Sequence, residues 1–200
     1  MTQRVWFVSP AMNASLRQAR FDDGAPLDAA GREAAGAAAC ALPKPALAVV
    51  SGSRRCRETA ELLGLGSPVA PDELAAPDTG NWRGRTLAEV SETAPQDVAQ
   101  WLGDPAFPAG GGESVAAVCA RVSRWLDAMA TDGGLVIAVV EPELTRAAVV
   151  HALGAPLSAF WRCDVTPLTV TELSGRDGRW NVRCGRPLAQ PRASVGPLPQ

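Results

Sequence analysis

Short apolar runs and amphipathic stretches alternate along most of the chain. Three runs are continuously apolar and stop at loop-forming residues, which indicates buried strands. The stretches between them place apolar residues at helical spacing behind capping residues, which indicates helices. The predicted strands span 5–8, 46–50 and 135–140. The predicted helices span 28–42, 53–63, 86–92, 95–102, 113–130 and 144–153.

The C-terminal part of the chain has a different pattern. Segments 165–173 and 179–184 alternate between apolar and polar residues around Gly175-Arg-Asp-Gly178, which predicts an antiparallel hairpin. Residues 185–200 are rich in Pro and lack periodicity, which predicts a disordered tail. For residues 1–184 we expect one α/β domain, a three-layer sandwich whose mostly parallel central sheet carries helices on both faces.

Composition and charge exclude several classes of partner. The 19 basic and 21 acidic residues give a net charge of −2, so no attraction to nucleic acid or to a membrane surface is expected. The first apolar run is too short for a signal peptide or a membrane span, so the protein is expected to be cytoplasmic. The five cysteines are scattered and never spaced as Cys-x-x-Cys. We therefore expect neither a metal site nor a cofactor.

The sequence contains a single histidine, His151. One imidazole excludes every mechanism that needs two, and it also excludes His-rich metal sites. His151 falls inside the predicted helix 144–153, where we expect it to lie on the helix surface or in a packing contact.

Polar residues follow each of the three predicted strands. These loops carry Ser9-Pro10, the segment from Ser51 to Arg55, and Glu141-Pro142-Glu143. In open α/β sheets the ligand crevice lies beyond the carboxyl ends of the strands. We therefore expect the three loops to face one site.

Several short motifs occur in a characteristic order along the chain. They are Pro26-Leu27-Asp-Ala-Ala-Gly31, Ser51-Gly-Ser-Arg-Arg55-Cys-Arg-Glu-Thr59-Ala60, Gly80-Asn-Trp82-Arg-Gly84 and Gly111-Gly112-Glu113-Ser114. Over about residues 4–173, this order resembles the histidine phosphatase superfamily. The resemblance implies the fold of that family, which is called phosphoglycerate-mutase-like.

The resemblance also implies where the family's catalytic residues would fall. The family uses a nucleophilic His, a second His, two phosphate-binding Arg and commonly a carboxylate as general acid. Here the nucleophile position holds Pro10, the first Arg position Ser9, the second His position Glu141 and the usual Glu position Ala76; only the second Arg remains, as Arg55. The resemblance therefore predicts a degenerate member, a pseudoenzyme without phosphohistidine chemistry.

Arg55 and Glu141 are the candidates for chemistry, since family geometry would place them face to face. They form either an internal salt bridge that fills the vacated site, or a rebuilt site that grips an anionic ligand and supplies an acid or base. The residues expected to line the pocket are Ser9, Asn13, Arg17, Arg20, Arg55, Glu113, Ser114, Glu141 and Glu143.

Three functions follow as hypotheses. The first is a non-catalytic protein that binds an unknown small molecule or protein partner, with a homodimer left open. The second is an enzyme of different, non-phosphoryl-transfer chemistry that uses Glu141 and Arg55. The third is an accessory protein of cobalamin or cobalt metabolism, by analogy with family members that act on a cobalamin precursor.

Overall fold

The computed structural model describes residues 2–129, 133–176 and 178–188. Its strands are β1 (Gln3–Val8), β2 (Leu47–Val50), β3 (Gly134–Val139), β4 (Thr169–Arg176) and β5 (Arg179–Pro187). They form one sheet in the order β2-β3-β1-β4-β5. The first three strands are parallel, whereas β4 is antiparallel to β1, and β5 to β4. The predicted fold class, with a mostly parallel sheet and a terminal hairpin, is confirmed.

Seven α-helices lie in the described ranges. They are α1 (Ala14–Arg17), α2 (Ala29–Ala37), α3 (Arg54–Leu62), α4 (Leu87–Thr93), α5 (Pro95–Gly103), α6 (Val115–Met129) and α7 (Pro142–Leu153). Short 3-10 helices span Asp72–Leu74, Gly80–Trp82, Ala109–Gly111 and Leu157–Arg162. The hydrophobic pattern did not predict α1 or the 3-10 helix at Leu157–Arg162, because both are too short to show a period. None of the helices described is both long and apolar enough to cross a bilayer.

The central strands are buried on both faces, which explains their continuous apolar runs. In β3, Val136 and Ala138 pack into the core beneath α6 and α7. The alternate residues Ile137 and Val139 pack into the core beneath α3. Each fully buried Val or Ile side chain contributes roughly 1.5–3 kcal/mol to the stability of the fold. The sheet thus provides a rigid base whose carboxyl-terminal edge holds the loops of the site.

The predicted boundary at residue 184 falls inside β5. The strand continues to Pro187, because Arg186 and Pro187 pair with Val170 and Thr169 of β4. Leu188 then donates its amide to the carbonyl of Leu168 and is 5% exposed in the core. Residues 185–188 therefore differ from the predicted tail, and residues 189–200 lie outside those the structure describes.

Candidate active site

A cleft of about 240 Å³ opens beyond the carboxyl ends of β1, β2 and β3. Asn13 follows β1, Arg55 follows β2 and Glu141 follows β3, and all three line the cleft. The position of the cleft agrees with the crevice expected for an open α/β sheet.

Arg55 is positioned by the first turn of α3. The hydroxyl of Ser53 caps this helix by accepting the amide of Cys56 at 3.2 Å. Thr59 donates its hydroxyl to the Arg55 carbonyl at 2.8 Å and accepts the amide of Ala11 at 3.1 Å. The Ser-x-x-x-Arg-x-x-x-Thr motif therefore ties the loop after β1 to the helix that carries Arg55.

The guanidinium of Arg55 has no hydrogen bond or ion pair to any described part of the chain. The residue is only 8% exposed, and its remaining surface faces the cleft. A buried cation without a partner is costly, and an anion that enters the cleft would relieve that cost.

Glu141 stands between β3 and α7 as the residue that precedes Pro142, the first residue of the helix. It is 4% exposed, and its Oε1 accepts the thiol of Cys56 at 3.4 Å. Complete burial, and secondly the charge of Glu141, raise the pKa of Cys56 well above the usual range, so the thiol keeps the proton that it donates. The second carboxylate oxygen, Oε2, has no protein partner.

The predicted salt bridge between Arg55 and Glu141 is absent from the described residues. The two side chains start from the N-terminal turns of different helices, α3 and α7, and the Cys56 thiol holds one oxygen of Glu141. Both charged groups lie in the same cleft with unused hydrogen-bonding capacity. This arrangement suits a ligand placed between them better than a structural ion pair.

Asn13 and Arg20 also line the cleft, but their polar groups are engaged. Asn13 caps α1 by accepting the Leu16 amide at 2.9 Å. Arg20 donates to the carbonyl of Gly84 and to the side chain of Gln18. These two residues shape the wall of the cleft and leave Arg55 as the cation available to a ligand.

Two further predicted residues, Glu113 and Glu143, line the cleft with their charges compensated. Glu113 accepts Nε of Arg121 at 2.7 Å and Nη2 of the same side chain at 3.0 Å. Glu143 lies 3.6 Å from Nη1 of Arg146. Neither carboxylate has the unpartnered buried oxygen that Glu141 has.

Three residues expected in the pocket lie outside its lining. Ser9 is buried in the protein, and its hydroxyl has no partner. Arg17 forms an exposed ion pair with Asp28 at 2.7 Å. Ser114 accepts the amide of Ala117 at 3.2 Å at the start of α6. A surface ion pair therefore explains the position of Arg17, and helix capping explains that of Ser114.

No histidine is among the described residues that line the cleft. Of the positions that the resemblance matches to the family's nucleophile and carboxylate, Pro10 is buried and Ala76 lies in the lining. His151 lies in the last turn of α7, with Nε2 3.1 Å from Asp127, on the helix surface as expected. Any chemistry in the cleft must therefore use other groups.

Sequence reasoning missed the apolar side of the cleft. Its lining includes Phe21, Leu87, Trp101, Phe160 and Trp161, which come from separate segments of the chain. No linear motif joins these positions, so only the folded chain reveals that they share a surface.

The family model for the histidine phosphatase superfamily (branch 1) matches residues 10–185. The chain therefore belongs to the histidine phosphatase superfamily.

Two of its relatives carry phosphatase names. A glucosyl-3-phosphoglycerate phosphatase of Mycolicibacterium vanbaalenii is 36% identical over 183 residues, covering 76% of this chain and 81% of that protein. Phosphoserine phosphatase 1 of Hydrogenobacter thermophilus is 30% identical and covers 58% of this chain. The match spans 59% of the length of that phosphatase, and only 32% of the length of three mycobacterial relatives.

A solved mycobacterial glucosyl-3-phosphoglycerate phosphatase, in a complex with VO3, has the same fold. It superimposes with a TM-score of 0.81 at 27% identity, covering 92% of this chain and 99% of that one.

These names correct the predicted function. Homologues named as phosphatases favour a phosphatase function over a non-catalytic one, so the prediction of a protein that only binds a ligand or partner is wrong. The same finding overturns the two alternatives, a different chemistry and an accessory role in cobalt metabolism. The prediction rested on the residues that the resemblance matches to the family's catalytic positions, although a cleft can support a reaction with different groups.

Proposed function

We propose that this protein hydrolyses phosphomonoesters in the cleft, with Arg55 as the phosphate-binding residue and Glu141 as the base that activates water. The observation that carries the proposal is the pair of unpartnered charged groups, the Arg55 guanidinium and Oε2 of Glu141, in one buried cleft. The phosphatase names of the relatives support the reaction class.

Arg55 fits the phosphate because a guanidinium offers parallel N–H donors to two phosphate oxygens. Its burial strengthens this contact, since water competes less in a cleft than at the surface. The N-terminal ends of α3 and α7 lie at Arg55 and Glu141, and their partial positive charge favours an anion there. These groups offset the repulsion between the phosphate and Glu141.

Glu141 fits the role of base because the Cys56 thiol fixes one of its oxygens and leaves the other free. In the proposed step, Oε2 takes a proton from water as the water oxygen bonds to phosphorus. The bond from phosphorus to the alcohol oxygen breaks, and that oxygen takes up the proton carried by Glu141. The products are the alcohol and inorganic phosphate, and no phosphorylated enzyme forms.

Two substitutions test the proposal in the full chain with an aryl phosphomonoester. Arg55→Ala should lower kcat/KM at least about 100-fold, because it removes charge stabilisation in the transition state. Glu141→Gln keeps the shape but not the base, and should lower kcat about 10²- to 10⁴-fold with a smaller change in KM. Arg17→Ala is the matched control, since that arginine lies outside the cleft.

Acid quenching during turnover should leave no phosphate on the protein. A phosphorylated intermediate would overturn direct attack by water. Absence of hydrolysis by the wild type, or full activity in Arg55→Ala, would overturn the proposed function itself.

A further inference from the structure

The apolar side of the cleft forms a continuous surface, which we call the aromatic wall: Phe21, Leu87, Trp101, Phe160 and Trp161. Phe21, Leu87, Trp101 and Trp161 are each only partly buried, so part of each side chain remains open to the cleft. Partly exposed rings gathered in a concave site are typical of a ligand-binding surface.

The aromatic wall is held in place by ring contacts. The Trp101 and Trp161 centroids lie 4.6 Å apart at an interplanar angle of 66°. Phe21 packs edge-on against Trp101 at 5.7 Å, and Phe160 against Trp161 at 4.8 Å. The Arg146 guanidinium lies over the Trp161 ring at 5.5 Å. Because these rings support one another, the wall requires little ordering when a ligand binds.

The charges beside the wall disfavour a second anionic group on the ligand. Asp22 and Asp78 line the cleft, and neither forms an ion pair within the described ranges. Their side chains accept only backbone amides, from Gly24 at 3.4 Å and from Gly80 at 2.9 Å. A carboxylate on the ligand would meet these acidic groups, while Arg55 is occupied by the phosphate.

We propose that the substrate is a monoester of one phosphate with an aromatic or similarly planar ring alcohol that bears no other negative charge. This inference rests on the proposed function for the position of the phosphate at Arg55. With the phosphate there, the alcohol part extends along the aromatic wall, where a ring packs against Trp101 and Trp161. Phosphomonoesters that carry a carboxylate are poor ligands of this cleft.

Calorimetric binding of three probes tests this inference. The probes are 1-naphthyl phosphate, glycerol 3-phosphate and 3-phosphoglycerate, measured in the Glu141→Gln background so that none is consumed. We expect 1-naphthyl phosphate to bind at least about tenfold more tightly than glycerol 3-phosphate, because of ring stacking. We expect 3-phosphoglycerate to bind more weakly than glycerol 3-phosphate, because of its carboxylate.

Replacing a ring of the wall tests the cause of the preference. Trp101→Leu should abolish the preference for 1-naphthyl phosphate over glycerol 3-phosphate, whereas Trp101→Phe should keep part of that preference. Trp6→Leu is the matched control, because Trp6 is half-buried under Arg186 and lies outside the cleft. A folded state of each variant is checked by circular dichroism.

Equal affinities for the three probes, or tighter binding of 3-phosphoglycerate, would overturn the inference. Equal effects of Trp101→Leu and Trp6→Leu on the preference for 1-naphthyl phosphate would overturn the inference as well. A ring preference without hydrolysis by the wild type would uphold the inferred class of ligand and overturn only the proposed reaction. Hydrolysis by the wild type without a ring preference would uphold the proposed reaction and overturn the inferred class of ligand.

Discussion

Cys56 shows how one residue serves both the core and the site. It lies in the first turn of α3, is fully buried, and donates its thiol to Glu141. Its neighbour Arg55 points into the cleft instead. Adjacent residues in a helix are about 100° apart, so one turn of α3 provides both the contact to Glu141 and a cation in the cleft. The motif from Ser51 to Ala60 therefore contains a residue that lines the cleft, although the motif could not show which contact each residue makes.

The buried thiols predict a loss of stability at high pH. Burial raises the pKa of Cys56, and it raises the pKa of Cys119 to about 11. Above pH 9 the unfolded chain releases these thiol protons while the folded chain keeps them, so the free energy of unfolding falls as the pH rises. Each thiol contributes at most about 1.4 kcal/mol per pH unit. Urea denaturation between pH 7 and 10.5 measures this slope.

Cys56→Ala and Cys119→Ala should each reduce the slope of the free energy of unfolding against pH, whatever their effect on stability at pH 7. Cys40→Ala is the control, because this cysteine is exposed. An unchanged slope in both buried variants would contradict the assignment.

At the scale of elements, the connecting segments 78–84 and 109–113 pack closely against each other and form one side of the cleft. The amide of Glu113 donates to the carbonyl of Asp78 at 2.7 Å. A Cβ atom at Gly110 would lie 2.4 Å from the carbonyl oxygen of Thr79, and its φ of 57° also favours glycine. The Gly-x-Trp-x-Gly and Gly-Gly-Glu-Ser motifs are thus explained together, by a close approach of two backbones.

Gly110→Ala should destabilise the protein by at least about 2 kcal/mol, because it combines backbone strain with a collision against main-chain atoms. Gly36→Ala is the contrasting control, since a Cβ atom there meets nothing within 4 Å inside α2. That variant should be neutral or stabilise by up to about 1 kcal/mol. Chemical denaturation compares the two, and equal stabilities would contradict the packing described.

For the whole molecule, the end of the sheet is decided by pairing and not by composition. The Pro-rich pattern begins at residue 185, yet β5 continues through Pro187 and Leu188 packs in the core. Hydrophobic periodicity cannot detect such an extension, because the pairing partner is β4 and the last residues show no alternation of their own. The predicted boundary was therefore set too early.

A chain that ends at Cys184 should be less stable than a chain that ends at Leu188. The shorter chain loses the pairing with Thr169 and Val170 and the burial of Leu188, which together should cost about 2–5 kcal/mol. The chain that ends at Leu188 keeps every contact described here and is the matched control. Urea denaturation measures both, and equal midpoints would show that β5 needs only residues up to 184.

Much of the fold was determined by the sequence alone. Strands buried on both faces must be apolar at every position, so 5–8, 46–50 and 135–140 were recognisable without a structure. The order of the motifs predicted the family. Each of these properties is local or depends on order along the chain.

The tertiary structure decided what the site contains. It left Arg55 and Glu141 without an ion pair to each other, although a salt bridge was one of the two arrangements expected from the sequence. It also brought Phe21, Trp101 and Trp161 together from three separate segments. Side-chain directions and contacts between distant segments depend on how helices pack on the sheet, and no periodicity in the sequence encodes them. Whether a buried charged side chain is paired within the chain or remains open to a ligand is therefore a property of the folded chain.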